Sequence, residues 1–302
     1  MNDDVRTLQV GLIGYGEVGK ILAKALVERG VGGVCAYDIL LDDTARRPEL
    51  AAAAERDGVA LAASAADLAR RADLVISAVT ARETRNAAQS VAGTLRGSGY
   101  LLDLNSASPQ AKSECGALIT EAGGRYVEAA VMSSVPPYGI RVPMLLGGPD
   151  ASALAPTLAA LGFAATVVSP SLGVASAIKM CRSVIVKGME AIVIESLLSA
   201  RKYGVEDHVL ASLAETFPGI DWERNGTYFF SRVVQHGRRR AEEMREAAVT
   251  VGDAGLEPLM AAATAGRHAW VAELSRGGAF AGLSSSTTAW RDYADAVLAR
   301  DK

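Results

Sequence analysis

Residues 8–19 read LQVGLIGYGEVG, in which an apolar run from Leu8 to Ile13 leads directly into a turn with glycine at positions 14, 16 and 19. Residues 20–29 follow with the composition of a helix. A strand, a G-x-G-x-x-G turn and a helix in this order are typical of a dinucleotide-binding βαβ unit. In such a unit the first glycine permits a tight turn, the second lets the backbone approach a pyrophosphate, and the third lets the helix pack against the strand. A glycine turn without a ligand is the alternative interpretation.

A carboxylate follows the turn at the spacing that such a unit requires. The apolar run at residues 34–37 ends in Asp38, where a carboxylate binds the ribose hydroxyls. Because an ionised Asp38 repels a 2′-phosphate, we expect NAD as the cofactor. Arg46 and Arg47 follow closely and leave NADP possible. The predicted cofactor site comprises Gly14, Tyr15, Gly16, Glu17, Val18, Gly19 and Asp38, with Val79 and Thr80 at the end of a later strand.

Composition argues against several classes of protein. The chain has 302 residues, half of them apolar, which is enough for two domains with sizeable cores. Its formal net charge of −3 gives no electrostatic reason to bind nucleic acid or a membrane. No apolar run is long enough to cross a membrane, and the first residues lack the pattern of a signal peptide, so we expect a cytoplasmic protein. The cysteines and histidines are scattered too widely for a disulfide framework or a metal site: Cys35, Cys115, Cys181, His208, His236 and His268.

Strand-like and helix-like runs alternate through the first half of the chain. This alternation predicts an α/β fold of the Rossmann type, a doubly wound parallel sheet with helices on both faces. Strands are expected at residues 8–13, 34–37, 73–79, 100–104, 126–132, 143–147 and 164–168. Residues 175–202 then have the pattern of one long helix, and no convincing strand follows. We therefore expect a nucleotide-binding domain over residues 1–169 and an all-helical substrate and dimerisation domain over residues 170–302.

The predicted long helix is apolar on almost every face. One polar stripe interrupts it, formed by Lys179, Ser183, Lys187 and Glu190 with Arg182 at its margin. A helix of this kind must be buried, so its polar stripe has to face something polar, such as a cofactor cleft between the domains. A solvated stripe, or an ion pair between Lys187 and Glu190, is the alternative. The apolar faces also exceed what one small helical domain covers, and we expect a homodimer.

A second polar stripe lies in the C-terminal region. His236, Arg240 and Glu243 are spaced to share one face of a helix. An inward-facing His236 and Arg240 could receive an anionic substrate. An ion pair between Arg240 and Glu243 explains the same spacing without a ligand.

Three segments resemble the β-hydroxyacid dehydrogenase superfamily, which includes the 3-hydroxyisobutyrate and 6-phosphogluconate dehydrogenases. The first is a substrate loop at residues 103–109, and the second is the segment 128–134. The third is Gly173, followed six residues later by Lys179. The resemblance covers residues 8–200 and implies a Rossmann-type domain followed by helices.

The resemblance also implies roles for particular residues. Lys179 is then the general acid and base, Ser106 holds the substrate's carboxylate or hydroxyls, and Ser183 orients the reacting oxygen. Asn105 joins the cofactor site. The predicted substrate site comprises Ser133 and Ser134 from the resemblance, with Arg182, His236 and Arg240 from the two polar stripes.

The chain departs from the family pattern in the same segments. Asn105 and Ser106 stand where the family has serine and threonine. Ser134 and Val135 replace two glycines, and Ser183 replaces an asparagine. These changes leave the lysine chemistry intact but argue against the usual small hydroxyacid substrates.

These observations together predict an NAD(P)-dependent oxidoreductase that transfers hydride between a nicotinamide and a small hydroxy or oxo acid, or a related polar carbonyl compound. Lys179 accepts the hydroxyl proton in oxidation and donates it in reduction. Residues 236–244 are similar to a helical domain of predicted phosphogluconate-dehydrogenase-like proteins, and decarboxylation after oxidation stays open. An imine reductase on the same scaffold is one alternative, although such enzymes often carry aspartate or tyrosine in place of the lysine. A nucleotide-sensing protein without turnover is the other.

Overall fold

The computed structural model of the chain describes residues 5–97, 99–284 and 287–301. The chain divides into two compact units, Met1–Lys179 and Met180–Lys302. The division falls inside a long helix, beyond the domain boundary that the sequence predicts. None of the helices in the described ranges combines the length and apolar character that a membrane span needs.

The first unit is built on one eight-stranded sheet. Its strands are β1 (Gln9–Ile13), β2 (Gly33–Tyr37), β3 (Ala60–Leu61), β4 (Leu74–Ser77), β5 (Tyr100–Asp103), β6 (Arg125–Val131), β7 (Met144–Gly147) and β8 (Ala165–Ser169). They lie in the order β3-β2-β1-β4-β5-β6-β7-β8. The order reverses between β1 and β4, and in open α/β sheets ligands bind beside the carboxyl ends of the strands at such a reversal.

Helices cover both faces of this sheet. They are α1 (Glu17–Glu28), α2 (Arg47–Asp57), α3 (Ala65–Arg71), α4 (Thr84–Val91), α5 (Pro109–Glu121), α6 (Val135–Tyr138) and α7 (Ala151–Ala160). Along β4, Leu74 and Ile76 join one buried apolar cluster, whereas Val75 joins a second cluster on the other face. Successive side chains of a strand point to opposite faces, so the sheet is buried on both sides. The predicted Rossmann-type fold is confirmed.

The sheet is mostly parallel, as predicted, but the pairing of β6 with β7 departs from the prediction. The sequence predicts a parallel sheet, but β7 runs antiparallel to β6. The segment between them contains only short helical turns, among them α6, and without a full crossover helix the chain returns in the opposite direction. The strand β3 is also not foreseen, because a pair of residues carries no periodicity.

The second unit is helical throughout its described residues. The long helix α8 (Val174–Tyr203) begins in the first unit, and α9 (Glu206–Thr216), α10 (Trp222–Asp253), α11 (Leu259–Arg276) and α12 (Trp290–Leu298) follow. Its core includes an aromatic stack in which the rings of Phe230 and Tyr293 lie 6.1 Å apart and nearly parallel. Gly237 of α10 lets α11 approach closely, because a Cβ there would lie 2.8 Å from the carbonyl oxygen of His268.

Candidate active site

The glycine turn between β1 and α1 has the shape that a dinucleotide requires. Gly14 has a φ of +94°, and a Cβ there would lie 2.5 Å from the carbonyl oxygen of Ala78. A Cβ on Gly19 would overlap the carbonyl oxygen of Gly14, so α1 can lie this close to the turn only because residue 19 is glycine. Gly16 has open space around its Cβ position, and α1 begins at the next residue, Glu17. The first amides of α1 are the groups that would bind a diphosphate in a dinucleotide-binding unit.

Asp38 lies against this turn. Its Oδ2 accepts a hydrogen bond of 2.7 Å from the backbone N–H of Tyr15, and its Oδ1 accepts one of 2.9 Å from that of Leu40. The carboxylate is therefore held at the carboxyl end of β2, where a ribose would lie. The side chain of Tyr15 is buried and its hydroxyl donates a hydrogen bond of 3.0 Å to Asp57, so this residue attaches the turn to the end of α2.

Asn105 connects the ends of two central strands. Its Oδ1 accepts a hydrogen bond of 2.7 Å from the backbone N–H of Val79, and its Nδ2 donates to Ser77 at 2.9 Å. Asn105 is buried, and these bonds occupy its amide. The structure thus places Asn105 behind the loop that carries Val79 and the exposed Thr80.

A buried charged cluster holds Asn105 in turn. Asp103 accepts a hydrogen bond of 2.8 Å from the backbone N–H of Asn105 and one of 2.6 Å from the hydroxyl of Tyr126. The ammonium of Lys112 lies 2.8 Å from the same carboxylate and donates to the backbone carbonyl of Asp103 at 3.0 Å. Burial, then the neighbouring Asp103 carboxylate, raises the pKa of Tyr126 well above its ordinary value, so Tyr126 remains a hydrogen-bond donor.

Lys179 and Ser106 meet although they are far apart in sequence. The ammonium of Lys179 donates a hydrogen bond of 2.6 Å to the hydroxyl oxygen of Ser106. Both side chains are half-buried. Ser106 follows Asn105 in the loop after β5, so the charged cluster around Asp103 also fixes the position of Ser106. A basic group and a hydroxyl at this distance form a pair that can hold and transfer a proton.

The start of α8 is attached to the sheet by a buried carboxylate. Glu128 of β6 accepts a hydrogen bond of 3.1 Å from the backbone N–H of Ala175 and one of 2.6 Å from the hydroxyl of Ser176. A carboxylate at this end of a helix satisfies unpaired amides and complements the helix dipole. Gly173, with a φ of +89°, makes the turn into the helix and packs against Pro109. Lys179 follows within the first turns of α8.

The polar stripe of α8 continues into the second unit. Ser183 accepts a hydrogen bond of 3.1 Å from the ammonium of Lys187, which also lies 2.9 Å from a carboxylate oxygen of Glu243 in α10. Glu190 accepts hydrogen bonds from Nε and Nη2 of Arg240, with the Nε donating at 2.9 Å. This part of the stripe is buried and paired within the helical unit, and the two ion pairs considered as alternatives, Lys187 with Glu190 and Arg240 with Glu243, are replaced by pairs between α8 and α10.

The other predicted substrate residues differ in their burial and in their contacts. Arg182 and Ser133 are exposed, and neither makes a hydrogen bond or ion pair to the described part of the chain. Ser134 is half-buried at the start of α6, and His236 is half-buried on α10. Arg240 is buried against Glu190, so its positive charge is already paired with a carboxylate.

Several site residues escape the sequence analysis. Asp103, Lys112 and Glu128 are buried in the first unit, and His268 is buried beside Glu190 in the second. Burial, followed by the charges of Arg240 and Lys187, lowers the pKa of His268 to about 3. Asp103 and Glu128 begin two of the segments that carry the family resemblance, but no local signal predicts the burial of these four residues, because a charged side chain at a helical or strand position ordinarily indicates a solvated face.

Two families of known sequences match parts of the chain. The family described as NADP oxidoreductase coenzyme F420-dependent matches residues 9–101, which include the glycine turn and Asp38. The family described as domain of unknown function DUF1932 matches residues 200–271 in the helical unit.

Solved structures cover nearly the whole chain. A conserved hypothetical protein from Sinorhizobium meliloti 1021 is 36% identical, with a TM-score of 0.77 over 99% of this chain and 98% of that one. The conserved protein MTH1747, described as structurally similar to 3-hydroxyacid dehydrogenases, is 32% identical, with a TM-score of 0.69 over 89% of this chain and 98% of that one. The chain belongs to the β-hydroxyacid dehydrogenase superfamily.

An NAD(P)-dependent oxidoreductase is the enzyme class that the matched NADP oxidoreductase family and the similarity of MTH1747 to 3-hydroxyacid dehydrogenases support. The 3-hydroxyisobutyrate dehydrogenase of Mycobacterium tuberculosis shares the fold at 17% identity, with a TM-score of 0.67 over 98% of this chain and 100% of that one. Identity at this level says nothing about the substrate, which depends on the side chains of this particular chain.

Proposed function

We propose that this superfamily member transfers hydride between a nicotinamide dinucleotide and a small hydroxy or oxo acid, or a related polar carbonyl compound, with Lys179 as the general acid and base. The observation that carries the proposal is the 2.6 Å hydrogen bond between Lys179 and Ser106. It joins the first turns of α8 to the loop after β5, at the edge of the sheet where the strand order reverses.

The glycine turn and Asp38 would hold the cofactor, which fits the open space at Gly16 and the amides at the start of α1. A bound nicotinamide supplies the hydride acceptor in oxidation and the hydride donor in reduction. The carboxylate of Asp38 supports NAD as the preferred form, and the exposed Arg46 and Arg47 nearby leave NADP possible.

The polar side chains of the proposed site have separate roles in proton transfer and substrate binding. In oxidation the neutral amine of Lys179 accepts the proton of the substrate hydroxyl, and in reduction its ammonium donates a proton to the carbonyl oxygen. Ser106 accepts from Lys179, so its own proton is left for a substrate carboxylate or hydroxyl. Ser133, Ser134 and Ser183 add further hydroxyls to the proposed substrate site.

These groups favour an acid over an amine as the substrate. Lys179 and the serines offer donors to a carboxylate or carbonyl oxygen. The carboxylates of Asp103 and Glu128 are buried and already accept hydrogen bonds within the first unit, so they do not serve a protonated amine. Imine reductases share this fold and are the alternative that the substrate panel tests.

A substrate panel tests the proposal. Purified protein is assayed with NAD(H) and NADP(H) against hydroxy acids, sugar acids, aldehydes and cyclic imines. We expect turnover with at least one hydroxy or oxo acid, and Ser106→Ala should lower kcat/KM about tenfold or more, because it removes a donor that binds the substrate. Ser113→Ala, an exposed hydroxyl on α5, is the matched control. Turnover of imines alone, or cofactor binding without any turnover, would contradict the proposal.

A further inference from the structure

A buried row of polar side chains connects α8 to α10 in the helical unit. Ser183 and Lys187 lie one turn apart on α8, and Glu243 lies on α10. The ammonium of Lys187 is 3.1 Å from the hydroxyl oxygen of Ser183 and 2.9 Å from a carboxylate oxygen of Glu243. All three residues are less than 9% exposed, so water does not compete for these contacts.

The chemistry of Lys187 sets the direction of the first bond. An ammonium has three donors and no acceptor, so Ser183 must accept the hydrogen bond. The proton of Ser183 then needs an acceptor of its own, and none is present in the described residues. A buried hydroxyl proton without an acceptor costs free energy, and a group of this kind in a native structure calls for an explanation such as a catalytic role.

The charges around Ser183 favour an electron-rich ligand atom. The carboxylate of Glu243 is shared by two cations, because Arg239 donates to its other oxygen at 3.0 Å. The neighbouring Glu190 is fully paired with Arg240. Positive charge is therefore in excess here, in agreement with the lowered pKa of the adjacent His268, which burial, Arg240 and Lys187 bring to about 3.

We infer that Lys187, held by Glu243, is a positioning residue that makes Ser183 a hydrogen-bond donor to the oxygen on the reacting carbon of the substrate. The inference rests on the proposed function, in which Lys179 exchanges a proton with that oxygen. Ser183 follows Lys179 by four residues in one helix, so both side chains lie on the same face of α8. A donor polarised by a buried cation stabilises the negative charge that grows on this oxygen during reduction.

Kinetics of single and double variants test the inference on the substrate found in the panel. Lys187→Met should lower kcat about 10- to 100-fold with little change in KM, since the lost interaction strengthens in the transition state. Ser183→Ala should have a similar effect. Because Lys187 acts through Ser183, the double variant should be no slower than Ser183→Ala alone. Lys187→Arg keeps the cation and should restore part of the rate.

Two further variants separate positioning from folding. Lys187→Met leaves Glu243 buried with one partner fewer, so Lys187→Met/Glu243→Leu removes both members of the pair and should show the same low kcat in a folded protein. Arg201→Met breaks an ion pair at the far end of α8 and should lower stability while leaving kcat unchanged.

The outcomes for the inference and for the proposed function differ. If the effects of Lys187→Met and Ser183→Ala on kcat multiply, or if Lys187→Met keeps the full rate, the inference is wrong while the proposed role of Lys179 stands. If Lys179→Met keeps the full rate, the proposed function fails and the inference fails with it.

Discussion

At the scale of a single residue, we propose that Asp38 determines the choice of cofactor. Its carboxylate is fixed at the glycine turn by the backbone of Tyr15. NADH should bind at least about tenfold more tightly than NADPH, because an ionised carboxylate repels a 2′-phosphate. Asp38→Ala should reduce this difference, and calorimetric titration with both cofactors measures it. Asp43→Ala, an exposed carboxylate nearby, is the control. Equal or tighter binding of NADPH by the unmodified protein would overturn this expectation.

His268 gives a second prediction for one residue, on stability against pH. Its pKa is lowered from 6.5 to about 3 by burial and by two neighbouring cations. As pH falls below about 6.5, the unfolded chain binds a proton here and the folded chain does not, so the folded state loses stability down to about pH 3.

Denaturant unfolding at a series of pH values measures this effect. Between pH 7 and pH 5 the unmodified protein should lose about 2 kcal/mol more stability than His268→Asn. His208→Gln, which changes an exposed histidine, should keep the pH dependence of the unmodified protein. An unchanged pH dependence in His268→Asn would show that the imidazole does not titrate as inferred.

At the scale of elements, the attachment of α8 to β6 by Glu128 is the most informative contact. Glu128→Gln keeps the shape of the side chain but removes the charge at the helix N-terminus. We expect a loss of about 1–3 kcal/mol in the free energy of unfolding, since hydrogen bonds to charged groups have this worth. Ser176→Ala removes only one donor and should cost about 1 kcal/mol. Urea unfolding measures the stability of both variants. A Glu128→Gln variant as stable as the unmodified protein would show that the charge of Glu128 does not stabilise the start of α8.

The elements themselves could largely be predicted from the sequence, because each depends on local patterns. The glycine turn, the carboxylate after β2 and the long helix are encoded within short windows. The pairing of β7 against β6 depends on a connection too short for a crossover helix, which strand periodicity does not report.

The candidate site could be predicted only in part, for the same reason. The family resemblance assigns separate roles to Lys179 and Ser106, and only the structure shows the hydrogen bond between them. The partners of Lys187 and Arg240 depend on the register between α8 and α10, which no window of sequence contains. Each helix shows the polar stripe, but the choice of partner is a tertiary property.

At the scale of the whole molecule, α8 carries an apolar surface that the single chain leaves open. Ile178, Ile185 and Ile192 recur at seven-residue spacing and are 41%, 69% and 56% exposed. Such a row on one side of a helix is typical of a helix–helix interface. We propose that two chains associate through α8.

Light scattering at micromolar concentration tests this association. The unmodified protein should have twice the mass of one chain, and Ile185→Glu/Ile192→Glu should shift it to the mass of one chain, because charges at an apolar interface are costly. Tyr203→Glu, at the exposed end of the same helix, should leave the mass unchanged. A monomeric mass for the unmodified protein would exclude the dimer.

The turnover of Lys179→Met, compared with its affinity for NADH, tests the central claim most directly. If Lys179 is the proton-transfer group, this variant should lose about 10²- to 10⁴-fold in kcat while its Kd for NADH stays nearly unchanged. Lys202→Met, an exposed lysine at the end of the same helix, should keep both values. Near-normal turnover by Lys179→Met, or a loss of NADH binding in place of turnover, would contradict the account.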